Sequence, residues 1–114
     1  MLSYDDFAKL EIKIGTILSV EIVDGADKLL RLMVDVGEKD AEGNVMPRQI
    51  ISGIRTYFED PQVLVGRQCP FLTNLEPRTI RGFESQGMIL ASSDDQGFAL
   101  LHPHVPMNPG AKIK

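Results

Sequence analysis

The sequence predicts an all-β domain, a small antiparallel barrel. Three observations carry that expectation. Apolar and polar residues alternate over 12–22 and again over 30–36, the period-2 pattern of half-buried strands. Shorter apolar runs follow at 48–54, 68–72 and 88–92, separated by turn-forming residues such as Asp24-Gly25, Gly43 and Asp94-Asp95-Gln96-Gly97. Only two short stretches, at the N-terminus and between the third and fourth runs, have helical character. At 114 residues the expectation is a single domain over 1–114. A chain of this size buries very roughly 65% of its unfolded surface and needs no disulfide or metal to fold.

The elements follow in order. Ser3 and Asp6 form an N-capping arrangement, with Phe7 and Leu10 on one face of a short helix to about Leu10. Ile12, Ile14, Thr16, Leu18, Val20 and Ile22 share one parity and mark a long first strand. Gly15 within it signals a bend or bulge. Leu30, Leu32, Val34 and Val36 mark the second strand, and a polar loop runs from Glu38 to Pro47. Arg48–Ile54 is the third. Thr56–Val65, with Asp60-Pro61 inside and Gly66 behind it, is read as a short helix and its stop. Tyr57 and Phe58 are assigned to anchoring that helix on the barrel end, in preference to stacking on bases. Gln68–Leu72 and Gly87–Ser92 complete five strands. Three strands, a short helix and two more strands is the element order of an OB-fold, a five-stranded Greek-key barrel.

Bulk properties narrow the function. The net charge is −4, which argues against a strong field for nucleic acid. Charge is unevenly spread, however. Residues 48–81 hold five arginines (48, 55, 67, 78, 81), against four acids (59, 60, 76, 84) over 48–84. The lone Cys69 excludes an intrachain disulfide, and its place in an apolar run predicts a buried, inert thiol. No signal-peptide pattern opens the chain, and no apolar stretch approaches the roughly 20 residues that span a bilayer. A cytoplasmic, non-membrane protein is expected. No glycine-rich phosphate loop, catalytic triad order or metal-ligand spacing is visible, so no enzyme activity, cofactor or metal is expected. His102-Pro103-His104 has no partner spaced to complete a metal site.

The most distinctive segment is Asn74–Ala91, Asn-Leu-Glu-Pro-Arg-Thr-Ile-Arg-Gly-Phe-Glu-Ser-Gln-Gly-Met-Ile-Leu-Ala. Two arginines three apart, an amide, a hydroxyl and two glycines suit a grip on a phosphate backbone with nearby base edges in reach. Arg78 and Arg81 are candidate phosphate clamps; the competing reading is a solvated face ion-paired to Glu76 and Glu84. Asn74 either reads a base or caps a turn. Ser85 and Gln86, ahead of Gly87, either approach phosphate or form a strand-entry turn. Met88 either offers a soft surface to a base or, as the first residue of an apolar strand, belongs to the core. Lys28 and Arg55, beside a turn and flanking the third strand, are weaker candidates.

The chain resembles the tRNA-binding domain family, which includes the C-terminal domain of bacterial methionyl-tRNA synthetases and free-standing structure-specific tRNA-binding proteins. The resemblance runs from Phe7 to Lys114. It rests on Phe7–Ile17, Ala26-Asp27-Lys28-Leu29-Leu30, Arg48–Ile54, Val65-Gly66-Arg67 and the Asn74–Ala91 run. Departures are Val23-Asp24-Gly25, where many relatives carry His-Pro-Asn, and Glu76 and Thr79, where relatives often carry basic residues. The resemblance implies an OB-fold that recognises the general shape of tRNA without catalysis, either free-standing or as a module of methionyl-tRNA synthetase. It also implies a homodimer, for which Phe98–Leu101 and Ile113 are the spare apolar segments, and a possible synthetase catalytic chain as partner. Rival readings are a peptide-binding chaperone of the related CsaA type and a domain that only dimerises a synthetase.

Overall fold

The computed structural model describes residues 1–114. The Ser3 Oγ accepts from the Asp6 N–H at 3.2 Å, and the Asp6 carboxylate accepts from the Ser3 N–H at 3.0 Å. This reciprocal box opens α1, Tyr4–Ala8. The strands are β1 Ile12–Ile22, β2 Leu30–Asp35, β3 Arg48–Ser52, β4 Gln68–Leu72, β5 Arg78–Ile80, β6 Phe83–Ser85, β7 Met88–Ile89, β8 Ala91–Asp94 and β9 Gly97–Leu100. Five of them form one antiparallel sheet in the order β3-β2-β1-β4-β7. The five core strands expected from the sequence are thus all present.

The sheet curls until its two edges nearly meet. Gln86 N–H donates to the Gln49 carbonyl at 2.8 Å, the Gln49 N–H donates to the Gln86 Oε1 at 2.9 Å, and the Ile51 N–H donates to the Ser85 Oγ at 3.0 Å. Side chains and a turn therefore close the barrel where a strand ladder would otherwise leave an open edge. Inside lie Ile17, Val20, Leu30, Leu32, Val34, Val36, Ile50, Ile54, Leu64, Cys69, Phe71 and Ile89, all buried. Burial raises the Cys69 thiol pKa to about 11, so the inert-thiol expectation holds.

Four details differ from the sequence reading. The long first strand does not keep one parity: Ile17 pairs with Val34 but Ser19 pairs with Met33, leaving Leu18 as the extra residue of a bulge. Ile17 faces inward before the bulge and Val20 after it, while Leu18 and Ile22 are exposed. Gly15 is not the bulge. A Cβ there would lie 2.7 Å from Val34 Cγ1 and 2.8 Å from Phe71 Cδ2, so the glycine lets the barrel wall close over its core. The helical segment between β3 and β4 consists of two 3-10 turns, Arg55–Tyr57 and Pro61–Leu64. Asp60 ahead of Pro61 is extended, as the proline ring requires, and this splits the segment in two. Finally, the fifth strand ends after two residues, and Ala91 begins a separate hairpin, β8–β9.

The tail returns along the barrel wall. Ile14 N–H donates to the Ala111 carbonyl, Gly110 N–H to the Ile14 carbonyl and Ile113 N–H to the Ile12 carbonyl, each at 2.8 Å. Phe98 and Leu100 pack against the core. The segments expected to be spare are partly used within the chain.

Candidate nucleic-acid interface

Within the Asn74–Ala91 run the chain makes a hairpin that its composition did not announce. Arg78–Ile80 pairs with Phe83–Ser85, and Ile80 opposes Phe83. The two-residue loop is Arg81-Gly82, with φ of 53° and 84°. Two left-handed residues in succession are what a type I′ turn needs, and the second is usually glycine. The first is more often Asn, Asp or Gly, so an arginine here keeps its place against backbone preference. Arg81 stands at the tip, exposed, and Arg78 is exposed at the base. Neither forms an ion pair; the four salt bridges join Lys9–Asp6, Lys13–Glu11, Arg31–Glu21 and Arg48–Glu38. Glu76 and Glu84 form no ion pair with the two arginines. The hairpin leans on β2, where the Arg31 guanidinium lies 5.5 Å from the Phe83 ring centroid.

The other candidates divide into two kinds. Asn74 has its amide engaged at both ends: Oδ1 accepts from the Glu11 N–H at 2.9 Å and Nδ2 donates to the Lys9 carbonyl at 2.7 Å. Ser85 is buried, and its Oγ also donates to the Gly87 carbonyl at 3.2 Å. Gln86 bonds Gln49 through both its backbone and its side chain. Gly87, at φ 154°, leaves only 3.0 Å between a notional Cβ and the Leu72 carbonyl, so backbone passes close to backbone there. These residues shape the run. Met88, in contrast, is 45% exposed while Ile89 fills the core. The core reading of Met88 is corrected: strand alternation turns it outward.

Lys28 and Arg55 meet through the backbone, the Arg55 N–H donating to the Lys28 carbonyl at 3.2 Å. No hydrogen bond or ion pair ties them to the hairpin. Tyr57 is 54% exposed and stacks on Phe98 with centroids 4.0 Å apart, so it is not the core anchor expected; Phe58 is. Sequence reasoning also passed over Arg48, Gln49 and Arg31 as supports of the hairpin. Their only signal was polar residues within strands that border the run.

Comparison with known proteins agrees with this geometry. The signature of the family described as "Putative tRNA binding domain" matches residues 12–112. A methionine–tRNA ligase of Azoarcus sp. (strain BH72) is 41% identical over 117 aligned residues, which cover 99% of this chain and 16% of the ligase. This chain therefore spans about a sixth of that relative's length. Among solved structures, a MetRS-related protein from Pyrococcus horikoshii superposes with a TM-score of 0.87 at 29% identity, covering 100% of this chain and 98% of the other. The chaperone CsaA of Bacillus anthracis str. Ames follows at 0.82 and 28%, covering 100% and 99%. With an OB-type barrel and a matched span covering the whole of the hairpin run, the chain belongs to the tRNA-binding domain family.

Proposed function

We propose that this chain is a non-catalytic module that binds tRNA by shape, and that the run from Asn74 to Ala91 is its contact element. The observation that carries the reading is the exposed hairpin with two arginines that are held in no salt bridge. Guanidinium matches phosphate bidentately, and the exposed Met88 beside it offers apolar contact to a sugar or base. Recognition through backbone and a few unpaired bases suits RNA, whose major groove is too narrow to read. Asn74, Ser85 and Gln86 hold the contact surface in place, and Lys28 and Arg55 add a second basic point. The relatives' name supports a role as part of, or beside, a methionyl-tRNA synthetase, in the cytoplasm where charged tRNA is used. Arg78→Ala and Arg81→Ala test the contact element: each should weaken binding of total tRNA and make the salt dependence shallower.

The same reading includes a homodimer. A groove of about 260 Å³ is lined by Ile14, Pro70, Leu101, Met107 and Ile113, and Leu101 and Met107 are over 40% exposed. A two-fold copy would cover it and double the basic surface offered to one tRNA. Light scattering should give twice the chain mass at concentrations on the order of tens of micromolar; a monomer there refutes pairing. That groove and the likeness to CsaA also favour a second reading, a peptide-binding chaperone. Preference for an unfolded peptide over tRNA would establish it.

A further inference from the structure

We infer that Arg48 is the positioning residue of the RNA-contacting run, a clasp that holds the two ends of the hairpin loop together without itself touching RNA. The inference rests on the assignment of the Asn74–Ala91 run as the contact element. The Arg48 Nη1 donates to the Gln86 carbonyl at 3.0 Å and also to the Thr73 carbonyl. Thr73 and Gln86 stand on either side of the segment that carries Arg78 and Arg81. One guanidinium nitrogen thus joins two points of the chain thirteen residues apart. On its other side, Nε donates to Glu38 Oε1 at 2.7 Å and Nη2 to Glu38 Oε2 at 2.8 Å. Glu38 is itself fixed in its loop, its carbonyl accepting from the Met46 N–H at 2.9 Å.

Chemistry excludes the simpler role of a phosphate ligand. A guanidinium has five N–H donors. Four are engaged here, and the side chain is only 23% exposed. Too little of the fork is free for a bidentate phosphate contact. The Glu38 carboxylate also neutralises it, and the pair shifts both pKa values apart, lowering Glu38 and raising Arg48. What remains is geometry. The β6 side of the hairpin lies beside β3, through the Ile51 N–H on the Ser85 Oγ at 3.0 Å and the Gln49 amide on the Glu84 carbonyl at 2.9 Å, with Arg31 over Phe83. The β5 side, in contrast, is fixed at its base by the clasp on Thr73. Releasing the clasp would let the base of the hairpin widen and spread Arg81 over many positions. Ordering the loop would then be charged to tRNA binding.

Arg48→Lys is the informative variant, because it keeps the charge but cannot span both carbonyls and a carboxylate. The measurements are amide hydrogen exchange, binding of total tRNA over a salt series, and the same binding in an Arg78→Ala, Arg81→Ala background. Exchange should speed within 76–84 while β1, β2 and β4 stay protected. Affinity for tRNA should fall on the order of ten-fold, with the salt slope unchanged. In the Arg78→Ala, Arg81→Ala background the same substitution should cost little, because the groups it positions are gone. Glu38→Gln should act in the same direction more weakly, and it serves if Arg48→Lys fails to fold. Full tRNA affinity in a folded Arg48→Lys overturns the inference. So does a shallower slope in Arg48→Met by about 0.7–0.9, the signature of a lost phosphate contact. If the double arginine variant binds tRNA normally while Arg48→Lys still loosens the hairpin, the contact assignment itself has failed, and the clasp is structural only.

Discussion

Under the proposed function, Arg81 sets a side-chain role against a backbone preference. Its φ of 53° lies in the left-handed region, which asparagine tolerates better than other residues. Arg81→Asn should therefore fold at least as well as the parent, within about 0.5 kcal/mol, yet weaken tRNA binding. Retained stability with weakened binding separates contact from fold; a lower melting temperature with normal binding would give Arg81 a structural role. Cys69 makes the opposite case, a reactive group type held inert. Its pKa is raised to about 11, so the stabilisation that comes from keeping the thiol protonated is full below the ordinary value of 9.0 and fades as pH rises through about 11. Thiol reagents at pH 8 should label the denatured chain and leave the native chain largely unmodified. Rapid native labelling would show an open barrel.

Strands were legible wherever burial is one-sided. Leu30, Leu32 and Val34 alternate inward along β2 without a break, so period and structure agree. β1 departs from a single parity, with Ile17 in the core before the bulge and Val20 after it, because an extra residue at Leu18 reverses the parity and no local residue type announces it. The Arg78–Ser85 hairpin was hidden for a related reason. Its strands are three residues each with Ile80 and Phe83 as their only apolar residues, and its turn is Arg-Gly instead of the usual Asn-Gly. Of the candidate site, the arginines were visible as types and spacing. The fact that Asn74 and Ser85 spend their polar atoms on backbone partners required the fold, since those partners are 63 and 34 residues away. Acid should loosen this frame first. Glu38 is lowered from its ordinary 4.5, chiefly by its hydrogen bond to Arg48. Its contribution is present above about pH 4.5 and is lost as pH falls through the lower folded value. Hydrogen exchange between pH 5 and 3.5 should show 76–84 losing protection before β1 and β2; simultaneous loss would deny the clasp this role.

Across the whole molecule the net charge is −4, yet the hairpin arginines form no ion pair. On the proposed reading, affinity for a polyanion comes from a local basic point against an unfavourable global field, and dimerisation would strengthen it. The barrel's edges are closed by Gln49, Ser85 and Gln86, the same stretch from which the hairpin departs. The most direct test is equilibrium binding of total tRNA over a salt series, by the parent protein and by the folded Arg78→Ala, Arg81→Ala variant, with an unfolded peptide as competitor. Loss of two phosphate contacts predicts weaker binding and a slope of log affinity against log salt that is shallower by about 1.4–1.8, with little competition from peptide. Equal tRNA affinity and slope in the two proteins, or displacement of tRNA by the peptide, would contradict it.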